Sequence, residues 1–450
     1  MLCVFVSLSP IEGQILPIPN DLIFQLDQKP PWARALAYGF QWMIIFLPIL
    51  MIFSAVSAEY LGMDGAGRIL LFQRILLVTG GVMIVQTLWG HGYPLLDGPS
   101  SALLLTLLVL APGGLPAIQG GLIVGGILVA SLGALGLVRR LEALFTDNVI
   151  GVTIILIALT LLPYLTPLVI GRGPGRPQGD LGTFGISLLT ILAIVLFSQK
   201  LSGFFKTVSL LLGIGVGTCL TAFFGRLTLQ AGPEVPWLAL PRPLFPGFPS
   251  FSLSAILPFL VAYLTVVING VGSIYSIAEI VGKEKLPKRV GRGIGWTGVG
   301  GLAGGILGCV GTVSFGISPG VVLVTRVGSR FPVTLCGALL CLLAFFQPLL
   351  ALLMSIPASV VGAALITAMA SQVGAGISVL TRKGRALEGR DYTVVGLPIL
   401  LAGVITFLPE AFFRDLSPGA QAFFKNGLVV GIVSVLLLEH LFLRREKTAP

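Results

Sequence analysis

The chain has 450 residues, 55% of them hydrophobic and only 10% charged, with a mean hydropathy of +1.00. Soluble domains carry about 25% charged residues, and a chain this apolar cannot hide its surface from water, which excludes a soluble protein. The net charge of +10 sits in short loops between apolar runs, where it orients helices in a bilayer rather than binding nucleic acid.

Cys3, Cys219, Cys309, Cys336 and Cys341 form no CxxC or Cys/His cluster and read as small buried hydrophobes. His91 and His440 lie far apart in sequence. No metal, organic cofactor or catalytic set is expected, so the chain is not read as an enzyme.

Residues 1–34 lack a basic start and a cleavage site, and Pro17, Pro19, Pro30 and Pro31 suit an extended cytoplasmic lead-in. Apolar runs near the ~20 residues of a spanning helix then recur at 35–56 and 68–89. Residues 90–112 are too short for a full span and hold Asp97, Gly98, Pro99, Ser100 and Ser101, so an extended stretch feeding a half-helix is expected. Further spans are expected at 117–138, 146–168, 182–199 and 205–225. A Pro-rich connection at 226–250 divides the chain.

The second half repeats this plan at 253–281, 290–311, 332–352, 356–377, 392–413 and 420–443, with a broken segment at 315–328. Asp97–Ser101 is echoed by Ile317–Gly320, and Thr146–Gly151 by Pro357–Gly362. Two halves of seven segments each give an inverted repeat. With both termini inside, twenty of the 28 Lys and Arg fall on the inner side, which supports fourteen segments. The expected fold is therefore an all-α polytopic membrane protein with 14 transmembrane segments in a 7+7 inverted repeat.

The stretch from Leu257 to Arg330 organises the rest. An apolar helix is interrupted by Asn269, Gly270, Gly272 and Ser273, and a short segment opens on Gly316-Ile317-Ser318-Pro319-Gly320. Polar and helix-breaking residues survive at membrane depth where they line a cavity, and such pairs mark a transporter's binding site. Asp97, an acid at that depth, is a proton-coupling candidate; its structural alternative is a helix cap.

Four places resemble the nucleobase–ascorbate transporter family, the uracil/xanthine permeases, over about residues 35–440. Gln41-Trp42 resembles that family's Gln-His pair. Pro94-Leu95-Leu96-Asp97-Gly98-Pro99-Ser100 resembles its turn into the third segment. Asn269-Gly270-Val271-Gly272-Ser273 resembles its Glu-His-Val-Gly-His type of stretch. Phe315-Gly316-Ile317-Ser318-Pro319-Gly320-Val321, with Thr325-Arg326-Val327, resembles its tenth-segment signature. Asn269 and Ile317 stand where the family has acidic or amide groups, and Trp42 and Ser273 where it has histidines.

The resemblance implies a core domain (35–138 and 251–352) and a gate domain (139–225 and 353–443), joined by the 226–250 loop and followed by a cytoplasmic tail, 444–450. It implies short paired strands in segments 3 and 10, expected at 95–99 and 314–318, with substrate beside them. The substrate-binding candidates are Asn269, Ser273, Phe315, Gly316, Ile317, Ser318, Ser100, Ser101 and, further out, Gln41. Asn269 offers a donor and an acceptor for a base's amide edge; Phe315 offers a face for stacking. Glu279 is expected to pair with the basic loop at 283–292.

The implied activity is import of a nucleobase such as uracil, xanthine or another purine by H+ or Na+ symport across a bacterial inner membrane. The partners are then a small planar heterocycle, the bilayer and, through the gate domains, a second copy. An anion carrier of the same fold class and a channel are the alternatives.

Overall fold

The computed structural model describes residues 22–142, 144–172, 176–227, 236–241, 247–381, 386–416 and 418–443. The lead-in before residue 22, the 444–450 tail, Cys3 and part of the 226–250 connection lie outside these residues.

The first half comprises α1 (Trp32–Tyr60), α2 (Gly65–Leu88), β1 (Asp97–Pro99), α3 (Ser101–Leu110), α4 (Leu115–Ala134), α5 (Val138–Glu142), α6 (Asp147–Val169), α7 (Leu181–Lys200), α8 (Gly203–Thr207) and α9 (Ser209–Phe223). The second comprises α10 (Leu253–Val281), α11 (Leu286–Leu307), β2 (Thr312–Ser314), α12 (Ser318–Thr325), α13 (Phe331–Leu343), α14 (Gln347–Met354), α15 (Ala358–Leu380), α16 (Gly389–Phe407), α17 (Pro418–Phe424) and α18 (Gly427–Leu437). Among the described residues, eight helices are long and apolar enough to cross a membrane, or nine if one bent pair counts as a single span. The protein is an integral, multi-pass membrane protein.

That bent pair corrects the span expected at 332–352. α13 and α14 meet at 93°, because Pro348 at the start of α14 cannot continue the preceding helix. The span expected at 420–443 is likewise divided into α17, α18 and a π-helical turn at Leu438–Phe442. Arg74, within the span expected at 68–89, lies inside α2 and is buried. Cys309 and Cys336 are buried as expected, whereas Cys219 is exposed.

Helices pack in two groups. α4 lies along α11 and α10, and α13 along α1 and α2; α15 lies along α6 and α7, and α16 along α18 and α6. Glycine sets the close approaches. A Cβ on Gly298 would come within 2.2 Å of the Ala130 backbone nitrogen, and one on Gly126 within 2.5 Å of that of Leu302. Such contacts bring backbones together without the water-driven attraction that helices in lipid lack.

The echo at 146–151 and 357–362 holds in register. Thr146 and Pro357 are the N-cap residues of α6 and α15. Gly151 faces the end of α15 at Gly376 and Leu380, while Gly362 faces the end of α6 at Leu168 and Val169. The other echo slips: Pro99 ends β1, whereas Pro319 lies in the first turn of α12. The end of the lead-in is not free. Ile23 N donates to Arg326 O (2.9 Å), and Gly328 N and Arg330 N donate to Phe24 O and Leu26 O (2.9 and 3.1 Å).

Candidate functional site

Two short helices, α3 and α12, each start where a strand ends near the middle of the fold. A chain that stops being helical at membrane depth must satisfy its backbone groups without water. Here it does so by pairing β1 with β2 antiparallel, Asp97 opposite Ser314, Gly98 opposite Val313 and Pro99 opposite Thr312. Phe315 N donates to Leu96 O (2.7 Å) and Ser100 N to Gly311 O (2.9 Å), extending the ladder at both ends. The second strand thus lies at 312–314 rather than 314–318. Gly98 has no room for a side chain, since a Cβ would lie 2.4 Å from Phe46 Cζ.

Asp97 is buried, at 1% exposure. Ser314 Oγ donates to its Oδ1 at 2.6 Å, and His91 Nε2 lies 3.1 Å from its Oδ2. His91 Nδ1 accepts from Tyr93 N at 2.9 Å. A neutral imidazole accepting at Nδ1 carries its proton on Nε2, so His91 donates to Asp97. Both bonds suit an ionised carboxylate. Asp97 is not a helix cap: Ser100 is the N-cap of α3, accepting from Leu103 N.

The candidate substrate residues divide by what holds them. Ser318 is fully buried; its Oγ accepts from Leu96 N and donates to Phe315 O, both at 3.0 Å, so it braces the strand junction rather than facing a ligand. Ser100 is buried in its cap. Ser273 Oγ donates to Ser314 O at 3.0 Å, tying α10 to β2. Asn269, one turn earlier on α10, shares that face. It is half-buried, and its amide has no protein hydrogen bond among the described residues. Phe315 is half-buried and meets Phe46 edge-to-face at 5.2 Å. Gly316 and Ile317 are exposed, and a Cβ on Gly316 would stand 3.6 Å from Ser273 Oγ. Asn269, Ser273, Phe315 and Gly316 therefore gather at the α10–β2 junction. Ser101 and Gln41 are half-buried. Glu279 pairs with Lys283 at 2.6 Å.

Sequence reasoning missed His91 and Ser314. The signal for His91 was its place six residues before Asp97 across a Gly-Tyr-Pro turn, which folds the two side chains together. Among the described residues, no group of three His, Cys, Asp or Glu side chains could hold a metal ion.

A sequence profile of the Permease family, the xanthine/uracil type, matches residues 33–411. The chain is 25% identical to a uric acid permease, PucJ, of Bacillus subtilis, over 83% of this chain and 84% of the other. It is 25% identical to the nucleobase transporter PlUacP of Paenibacillus larvae, over 91% and 95%, and 29% identical to the uric acid transporter UacT of Escherichia coli, over 73% and 68%. In structure it resembles the transmembrane domain of a cyanobacterial bicarbonate transporter, BicA, with a TM-score of 0.59 at 14% identity, covering 89% of this chain and 96% of the other.

Proposed function

Because this chain belongs to the xanthine/uracil permease family, we propose that it is a secondary active transporter importing a purine base of the uric acid or xanthine type. The observation that carries this reading is the unpartnered amide of Asn269 beside Ser273, Phe315 and the strand pair. A base presents adjacent N–H donors and carbonyl acceptors on a flat ring. Asn269 can meet one of each, the Phe315 ring can stack, and the Ser273 bond to Ser314 holds α10 at a fixed distance from β2. A panel of purines and pyrimidines competing for uptake of labelled xanthine tests it: purines should compete, and Asn269→Ala should weaken all of them together.

Coupling is to protons, through Asp97. Taking up a proton at Oδ2 breaks the acceptor role toward His91 Nε2–H and frees the strand junction; losing it restores both bonds. In this way the charge state of one buried carboxylate biases the position of β1 and β2 against α10.

The architecture that supports alternating access is a fourteen-segment inverted repeat. α1, α2, β1–α3 and α4 are the first four segments; α6, α7 and α9 the next three. α10, α11, β2–α12 and the bent α13–α14 are segments eight to eleven, and α15, α16 and α18 complete the set. The register of the α6 and α15 caps and their reciprocal glycine contacts favour this symmetry. The two packing groups correspond to a core domain (35–138, 251–352) and a gate domain (139–225, 353–443), with the core carrying the site past the gate and a second copy held through the gate. The setting is the inner membrane with both termini in the cytoplasm. An anion carrier would need positive charge at the site, and no Lys or Arg occurs in β1, α3, β2 or α12.

A further inference from the structure

A cleft of about 270 Å³ opens where the end of α2 meets the start of α11. Sites for drug-sized ligands run to ~300–1,000 Å³, so this one suits a compact group. Lys285, Lys288, Arg289, Arg292 and Arg330 line it, and Trp89 forms its rim. Two carboxylates stand at its edge: Glu284, 3.6 Å from Lys285, and Asp27, 2.9 Å from Arg330. Five cations thus face two anions.

The arrangement runs against helix electrostatics. The first turn of α11 holds no acidic residue, and its N-cap, Lys285, makes no side-chain cap. A helix start carries partial positive charge and favours anions, yet here cations crowd it. Two of them are fixed by the fold. Arg289 NH1 donates to His91 O and Gly92 O, both at 3.0 Å, and its guanidinium lies 4.8 Å over the Tyr93 ring. Its NH2 has no acceptor among the described residues. Arg330 NH1 donates to Thr87 O at 2.9 Å, and its Nε is buried with no acceptor. Gly92 keeps the cleft open, because a Cβ there would lie 2.6 Å from Arg289 NH1. Lys288 and Arg292 are exposed and hold no protein partner among the described residues. A pre-positioned Arg289 with a free NH2, beside an Arg330 held by Thr87 O and Asp27 and flanked by two uncommitted cations, is a site for a tetrahedral oxyanion.

We propose that this cleft binds the phosphate headgroup of an anionic phospholipid. Trp89 selects the lipid source: it ends a spanning helix, is 62% exposed, and indole rings in that position settle at headgroup level. A bound phosphate lies against Arg289, whose other bonds hold the His91–Gly92 turn, so the headgroup steadies the turn that leads to β1. This site is independent of the nature of the transported substrate.

The test uses the full-length protein purified in a neutral detergent, with thermal unfolding followed as phosphatidylglycerol, phosphatidylcholine or inorganic phosphate is titrated in. Phosphatidylglycerol should raise Tm and phosphatidylcholine should not. Lys288→Gln with Arg292→Gln should weaken the phosphatidylglycerol response about thirtyfold in concentration, since each cation near an anionic surface contributes roughly fivefold. Arg139→Gln with Arg140→Gln, the same charge loss at exposed positions elsewhere, should leave it unchanged. An equal response in both double variants, or equal responses to the two lipids, overturns the site. A full response to inorganic phosphate alone, with nothing added by the lipid, overturns the headgroup as its occupant.

Discussion

His91 Nε2 lies 3.1 Å from Asp97 Oδ2, with the two side chains 0% and 1% exposed. The imidazole is fixed from behind by Tyr93 N, and the carboxylate from the far strand by Ser314 Oγ.

Asp97→Asn separates charge from shape. A carboxamide oxygen can accept from His91 while its NH2 donates to Ser314 Oγ, a hydroxyl that can accept as well as donate. Only the charge-assisted part of the two bonds is lost, which should cost about 1 kcal/mol of stability. Uphill, proton-driven uptake should be lost while counterflow of preloaded substrate persists, measured in the same vesicles. Normal accumulation by this variant would show that Asp97 exchanges no proton.

His91 and Asp97 should behave as a unit. His91→Ala leaves Tyr93 N–H without its acceptor and Asp97 with one donor. In a double-mutant cycle read by thermal unfolding, His91→Ala and Asp97→Ala should be non-additive by at least about 0.5 kcal/mol. Additive effects would mean that the contact contributes nothing.

Asn269 makes no hydrogen bond to protein among the described residues, so its removal should be felt by substrate alone. Asn269→Ala should raise the apparent KM roughly fivefold, the worth of about 1 kcal/mol of hydrogen bonding, with stability changed by less than about 0.5 kcal/mol. Ser318→Ala should do the reverse. It leaves the buried Leu96 N–H unsatisfied and should destabilise by about 1–3 kcal/mol, with the KM of the surviving folded protein unchanged.

Gly298→Ala places a methyl 2.2 Å from the Ala130 backbone. The α4–α11 pair must separate, and overpacking of this kind costs about 1–3 kcal/mol. Gly374→Ala in α15, where nothing lies within 4 Å, should be neutral or stabilising by up to about 1 kcal/mol. Comparable losses at both positions in thermal unfolding would show that close packing is not what Gly298 supplies.

Helix extents were largely legible, because an unbroken apolar run of spanning length has few other fates; α10 spans 253–281 as read from its sequence. The interruption expected at Asn269–Ser273 is not there, since single glycines and polar residues in an apolar run keep their backbone hydrogen bonds and leave the helix continuous. Breaks were harder. Pro348 stands within the run at 332–352, but Pro48, Pro163 and Pro258 sit inside continuous helices, so proline alone does not mark a bend. Serines were harder still. Ser273, Ser314 and Ser318 differ in role only through which backbone group each reaches, and that depends on the register between strands more than two hundred residues apart. His91 escaped notice because its partner was sought at long range, while the turn at Gly92 (φ 64°) brings it back onto a neighbour.

The most direct measurement is uptake of labelled xanthine and uric acid by proteoliposomes holding the purified protein, with and without an inward proton gradient. The predicted result is accumulation above equilibrium only with the gradient, abolished by Asp97→Asn and competed by purines but not by sulfate or bicarbonate. Gradient-independent equilibration, or uptake of bicarbonate in place of purine, would contradict a proton-coupled purine transporter.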